Sequence, residues 1–514
     1  MSRDTPGESP VPLVKGTSDR LPSDFVRLAK LETALLDCFA RVGYDRLATP
    51  VLEPLELHER KSGAGIVSKL FLLAGSASPR VCLRPELTAG VVRAYTEAEP
   101  HPALPWRVSH SGPAFRHENP SRPDRLREFH QVGLERLGDS GPFADAEVIW
   151  LASSALAEAG VQSTSIRIGH VGLILEILTR SGLPTSAQTA LIEMLSEAAA
   201  EGGDVGSIER GLDHFEDWLR RAADTDDDDS LGVSGISDDG GIERLFRTLV
   251  PVVTGRRSRV EIVDRLRRKW ELGRELLDKL GRVRAQVRSL ANLRGTPSVV
   301  IDRLTRDFEA WAPDSVTSLR ALFESLKHHG VDADSTLLDL GLGRGIGFYS
   351  RMIFDLTATV PGGTIELGGG GRYDGLAQVL GSDRDDRGVG FAFGLERIDQ
   401  VLQAQAGRDP RRPSAAPRST LVIPATTEAT SVAVRLAAQI RSQGGRAILE
   451  SGWHSADLAG RARLLSARWS VVVDRPSGAE LVVVLHDHLR QSATEGSVQD
   501  IIRLIAEQSR EPQP

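Results

Sequence analysis

The sequence predicts a multidomain α/β protein: an α+β core, interrupted by a mainly helical insertion and followed by a small C-terminal α/β domain. Three observations carry this. At 514 residues the chain is too long for one ordinary domain, and about three is the fair expectation. Two strand patterns, Trp106–Glu118 and Glu128–Gly138, flank a polar loop. Strand character returns only at Thr336–Leu340, with helical periodicity filling the interval. Beyond residue 418, short apolar runs alternate with helical patterns, which implies a small domain with a mainly parallel sheet.

These patterns set the expected boundaries. The core occupies 13–142 and 335–406, the helical insertion 143–334, a Pro- and Arg-rich linker 407–418, and the last domain 419–514. Within the first part, Ser23 and Asp24 cap a helix whose Phe25, Leu28, Leu31, Leu35 and Phe39 share one face. Gly43 stops it. An extended segment, Tyr44–Thr49, follows and closes at Pro50. In the insertion, Asp224–Gly241 carries an acidic run too poor in apolar surface to order itself, so a disordered loop is expected. Ile242–Leu293 has the pattern of an Arg-rich amphipathic helix. A strand is expected within Phe348–Val360, leading to the glycine run Gly368–Gly371. Another strand, Val389–Phe393, leads into a helix near Leu395. The last domain has strand candidates at Leu421–Pro424, Ala447–Glu450, Ser470–Asp474 and Leu481–His486.

Composition narrows the class. Hydrophobic residues make up 40% and charged residues 26%, as in a soluble globular protein, and the formal charge of −7 argues against general nucleic-acid coating. Cys38 and Cys82 lie inside apolar runs and read as core residues without a disulfide partner. No signal peptide or membrane-spanning run stands out, so a cytoplasmic location is expected.

The chemistry concentrates in the hairpin. Side chains alternate faces along a strand, so Arg116 and Glu118 project together, and Gln131, Gly133 and Glu135 share a face on the returning strand. An arginine fork matches phosphate oxygens, and a carboxylate accepts from an ammonium or imidazole N–H. Arg122, Arg125 and Arg127 in the linking loop add charge for a triphosphate. A solvated hairpin with surface ion pairs also fits this spacing. The run Gly368–Gly371 lacks P-loop and Rossmann spacing and fits a flexible turn. His117, His130 and His170 form no metal-ligand pattern, and none is expected.

The hairpin FRHENPSRPDRLREFHQVGLERLG resembles motif 2 of class II aminoacyl-tRNA synthetases, the histidine-specific family in particular. The helix and strand ending at Pro50 look like motif 1. LRPELTAGVVRAY (Leu83–Tyr95) is similar to the amino-acid-binding segment, GGGGRYDGL (Gly368–Leu376) to the substrate loop, and GVGFAFGLER (Gly388–Arg397) to motif 3. The resemblance implies an antiparallel sheet flanked by helices, a C-terminal anticodon-binding-like domain, and a histidine–tRNA ligase using ATP and Mg²⁺. It further implies a homodimer through Phe25–Pro50, with histidine and tRNA(His) as partners. By the same resemblance Arg116 contacts the α-phosphate, Arg397 the γ-phosphate and Glu118 the adenine end. Arg344 stabilises the pentavalent phosphorus. Glu86 and Thr88 face the α-amino group with Gln131 nearby, Glu135 and Tyr349 read the imidazole, and Tyr373 closes the pocket.

Three features depart from that pattern. Arg344–Tyr349 has Gly347 where the family usually has aspartate, and Leu87 replaces a common glycine. The segment IRIGHVGLILEIL (Ile166–Leu178) is more similar to the ATP phosphoribosyltransferase regulatory subunit, a non-aminoacylating paralogue. It implies the alternative, a histidine sensor partnered with a short-form ATP phosphoribosyltransferase.

Overall fold

The computed structural model describes residues 11–62, 69–75, 79–117, 126–185, 188, 191–192, 210–214, 216–217, 273–331, 336–342, 349–383, 387–407, 419–450, 458–465, 467–474 and 481–509. The chain divides into two compact units, residues 1–19 with 28–410 and residues 20–27 with 411–514. The segments Asp224–Gly241 and 407–418, expected as a disordered loop and a linker, lie outside the described residues except for Gly407.

The first helix is α1 (Pro22–Arg41), whose residues from Leu28 onward belong to the first unit. Pro22 occupies the first helical position, where its fixed φ suits the helix and its missing N–H costs nothing. Ser23 and Asp24 therefore sit inside the first turn and are not the cap expected from the sequence. Gly43 ends the helix at φ +88°, a conformation glycine adopts without strain. Short strands β1 (Asp45–Leu47), β2 (Leu52–Pro54) and β3 (Val81–Leu83) and helices α2 (Leu55–Ser62) and α3 (Thr88–Glu97) follow. The expected hairpin forms as β4 (Trp106–Phe115) and β5 (Glu128–Leu137).

Next come α4 (Pro142–Glu158), β6 (Thr164–His170), α5 (Val171–Arg180), α6 (Gly273–Ala291), β7 (Arg294–Gly295), α7 (Pro297–Phe308), α8 (Pro313–His328) and β8 (Thr336–Asp339). The unit closes with β9 (Met352–Val360), β10 (Gly363–Arg372), α9 (Leu376–Val379), β11 (Gly388–Gly394) and α10 (Leu395–Gln405). Nine strands form one sheet in the order β1-β4-β5-β11-β10-β9-β6-β8-β7. It is antiparallel from β4 through β6. Helical periodicity over 143–334 predicts an insertion, yet β6 and β7 from that stretch complete the sheet. Ile166 and Ile168 of β6 are buried there, the period-two signature that the surrounding helices masked.

One face of the sheet is the core. Val132, Leu134, Phe354, Phe391 and Phe393 pack with Leu35 and Phe39 of α1, Ile149 and Leu156 of α4, and Ile398 and Val401 of α10. Phe391 meets Phe39 edge-on at 5.6 Å, a favoured ring geometry.

The second unit holds β12 (Ser419–Pro424), α11 (Thr430–Ser442), β13 (Arg446–Leu449), α12 (Leu458–Leu464), β14 (Ala467–Asp474), β15 (Val482–Asp487), β16 (Ser492–Glu495) and α13 (Val498–Ser509). Its sheet runs β13-β12-β14-β15-β16. Only β12 pairs in parallel, with β13 and β14; β14, β15 and β16 are antiparallel. The sheet is thus half parallel, where the sequence pattern predicts mainly parallel. The link between β14 and β15 is too short for a crossover helix, so those strands must reverse.

Candidate functional site

Strand register places a row of glycines on the sheet face opposite the core. Val108, Glu135, Gly390, Gly371 and Ile353 align across β4, β5, β11, β10 and β9. Two residues along, His110, Gly133, Ala392, Gly369 and Asp355 align in the same way. Gly112, Gln131 and Gly394 make the third row. All three rows share one face, because strand side chains alternate.

The bare backbone is filled by neighbouring side chains. A Cβ on Gly390 would lie 1.7 Å from Glu135 Oε2, one on Gly388 2.2 Å from Tyr373 Cε2, and one on Gly371 2.8 Å from Tyr349 Cδ1. The run Gly368–Gly371 is therefore no flexible turn or loop. It lies within β10 and pairs with β11 on one side and β9 on the other. Glycine disfavours strands, but a complete hydrogen-bond ladder and close neighbours override that preference here.

Glu135 is 1% exposed and accepts from the Tyr373 hydroxyl at 2.5 Å. Burial, reinforced by the Glu135 carboxylate, pushes the Tyr373 hydroxyl well above the usual phenol range, so it stays a donor. Its neighbour Arg372 is fully buried. It donates to Asp145 Oδ1 at 2.7 Å, to the Asp139 carbonyl at 2.7 Å and to Asp374 Oδ1 at 3.0 Å. That clamp fixes the backbone carrying Tyr373. Sequence reasoning missed Arg372 and Asp145, because their partnership spans distant segments. It also missed His110, although counting back by twos from Arg116 reaches it.

Glu86 and Lys61 form a second pair of charges, at the start of α3. Lys61 Nζ lies 2.9 Å from Glu86 Oε1, and the Ala89 N–H donates to the same carboxylate at 3.1 Å, closing the first turn of α3. Burial pushes the Glu86 pKa up, but Lys61, His58 and the Ala89 N–H outweigh it and hold it at about 2. Glu86 thus already carries a cation and a helix terminus. Thr88 begins α3, half-buried.

Arg116 extends the hairpin ladder, its N–H donating to the Arg127 carbonyl at 2.9 Å. Its side chain donates to the Pro85 carbonyl at 3.1 Å and lies over the Phe129 ring at 5.0 Å. The face expected to join Arg116 with Gln131 and Glu135 is present. Arg397, in the first turn of α10, donates to the Glu366 carbonyl at 3.1 Å and keeps nearly half its side chain exposed. Gly394, just before α10, pairs with Gln131. Glu118, Arg122, Arg125, Arg344 and Gly347 lie outside the described residues.

Comparison with known proteins places the chain in a family. Residues 16–208 and 228–398 fit the family model described as histidyl-tRNA synthetase. The chain is 26% identical over 494 residues to histidine–tRNA ligase of Pyrococcus furiosus, covering 96% of this chain and 98% of that one. It is 28% identical over 389 residues to the ATP phosphoribosyltransferase regulatory subunit of Moorella thermoacetica, covering 76% and 81%. The crystal structure of histidyl-tRNA synthetase from Nostoc sp. PCC 7120 superposes with a TM-score of 0.63 at 16% identity, covering 98% of this chain and 100% of that one, a likeness of fold. Since the family model spans well over half its length, the chain belongs to the histidyl-tRNA synthetase family.

Proposed function

We propose that this chain activates histidine with ATP and transfers the histidyl group to tRNA. One observation carries the reading: a single sheet face has a buried acceptor carboxylate, Glu135, at one end and the arginines Arg116 and Arg397 near the other. Glu135 and Gln131 are four residues apart, about 13 Å at roughly 3.3 Å per residue. That length suits an amino acid joined to a nucleotide phosphate.

Glu135 and Tyr349 read the imidazole, and Tyr373 holds Glu135 and closes the pocket. Glu86, Thr88 and Gln131 receive the α-amino end, with Lys61 giving way at Glu86. A carboxylate oxygen of histidine attacks the α-phosphorus in line. The new P–O bond forms as the bond to pyrophosphate breaks, and no proton need move. Arg116 and Arg344 meet the negative charge growing at phosphorus, Arg397 holds the γ-phosphate, and Glu118 orients the adenine. Positioning and fixed positive charge supply the rate enhancement.

Among the described residues no group of three or more His, Cys, Asp or Glu is placed to hold a metal ion. Mg²⁺ would come with the ATP substrate and would supply positive charge to offset that of the phosphates. The proposed assembly is a homodimer through Phe25–Pro50, working in the cytoplasm with tRNA on the C-terminal domain. No helix among the described residues is long and apolar enough to cross a membrane.

A second reading, a histidine sensor bound to a short-form ATP phosphoribosyltransferase, is favoured by the Moorella thermoacetica relative. Both readings require histidine binding; only the first requires chemistry. Histidine-dependent exchange of label between pyrophosphate and ATP separates them. Binding without exchange establishes the sensor.

A further inference from the structure

The proposed histidine pocket contains one more recognition group. His110 lies on the glycine-lined face, 1% exposed, with neither ring nitrogen hydrogen-bonded. Its Nε2 stands 3.5 Å from Glu135 Oε1, which itself lacks a hydrogen-bond partner. A separation of 3.5 Å is at the outer limit of a hydrogen bond. The ring rests over Gly133, where a Cβ would come 2.9 Å from His110 Cε1. Gln131 Oε1, one row along the same face, is also buried and unpartnered.

A buried polar group left without a partner destabilises a fold. Here such groups stand on adjacent rows of one face, while the core face of the same sheet is apolar. Their deficits are complementary to a ligand. Glu135 Oε1 and Gln131 Oε1 accept hydrogen bonds only, and a ring N–H of His110 is a donor. A small ring with an N–H for Glu135 and a bare nitrogen for a His110 N–H, attached to an ammonium for Gln131, meets three of these four groups.

We propose that His110 is a specificity-determining residue that hydrogen-bonds the ligand's ring beside Glu135, so that the pocket selects an imidazole over an apolar ring of equal size. This rests on the reading of the face as a histidine site. It shares the ring recognition assigned above to Glu135 and Tyr349 with a third side chain. Because the group that closes the ligand's hydrogen bonds is itself buried, a ligand lacking ring nitrogens leaves His110 and Glu135 stranded. That mismatch discriminates more sharply than an apolar wall could.

The test titrates histidine and β-(3-thienyl)alanine, whose ring has no N–H, into the wild-type chain and into His110→Phe and His110→Gln by calorimetry. His110→Phe is expected to weaken histidine binding about tenfold, the size of a lost hydrogen bond of some 1.4 kcal/mol. Thienylalanine binding should hold or improve, so the preference for histidine shrinks. His110→Gln, which keeps a donor and an acceptor, should retain most of that preference. Equal histidine affinity in His110→Phe and wild type overturns the proposal, as does an equal loss for both ligands, which marks a packing role. If His110→Phe does not fold, His110→Gln and His110→Met decide the question by the same ratio. If the wild-type chain binds no histidine, the reading of the site fails, and this proposal with it.

Discussion

The Tyr373 hydroxyl donates to Glu135 Oε2 at 2.5 Å, joining side chains 238 positions apart in sequence. The bond closes one end of the glycine-lined face, and Arg372 anchors it from behind through Asp145. Removing the donor strands a buried carboxylate oxygen. Tyr373→Phe is expected to lose about 1.5–3 kcal/mol of unfolding free energy, the range for a hydrogen bond to a charged group. Urea denaturation checks this; stability unchanged from wild type contradicts it.

Much of that face was legible in the sequence. Period-two alternation placed Arg116, Gln131, Gly133 and Glu135 together, and the register bears this out. Gly368–Gly371 was not legible as a strand, because composition signals a turn while the reason for glycine lies in neighbouring strands. A Cβ on Gly370 would meet the Gly390 carbonyl at 2.0 Å, a contact no local pattern encodes. The Arg372–Asp145 clamp and the Lys61–Glu86 pair were hidden for the same reason: each partner alone resembles a solvated charge. Within α1, Pro22 took the first helical position, so Ser23 and Asp24 lost the capping role that composition gave them.

Gly390→Ala tests whether the bare backbone is needed. Its Cβ would lie 1.7 Å from Glu135 Oε2 and 2.5 Å from the Leu134 carbonyl, and a backbone atom cannot yield cheaply. Overpacking of this kind costs about 1–3 kcal/mol. The variant should melt several degrees lower and lose histidine affinity as Glu135 is displaced. A variant that melts and binds like wild type removes the constraint.

Acid sensitivity follows from Glu86. Its pKa is about 2 in the folded chain against an ordinary 4.5, because Lys61, His58 and the Ala89 N–H favour the carboxylate over the cost of burial. A depressed folded-state value stabilises the fold above pH 4.5, and that contribution declines as pH falls toward 2. It amounts to something on the order of 3 kcal/mol. Glu32, held at about 2 chiefly by His130, whose Nε2 lies 3.6 Å from Glu32 Oε1, acts in the same window. Stability measured from pH 6 down to pH 3 should fall less steeply in Glu86→Gln than in wild type. Parallel slopes contradict the pairing.

The homodimer proposed through Phe25–Pro50 has a direct readout. Light scattering at micromolar concentration should give twice the mass of a 55.6 kDa chain. A monomer mass removes this assembly.

The central claim is that one sheet face binds histidine at Glu135 and stabilises phosphoryl chemistry through its arginines. Exchange of labelled pyrophosphate into ATP, with and without histidine, tests it in wild type and Arg116→Ala. The wild-type chain should exchange only when histidine is present. Arg116→Ala should lower kcat about 100- to 1,000-fold, the usual effect of deleting one donor to developing charge, while calorimetric histidine affinity is kept. A wild-type chain that binds histidine without exchange, or an Arg116→Ala variant that exchanges at the wild-type rate, contradicts the account.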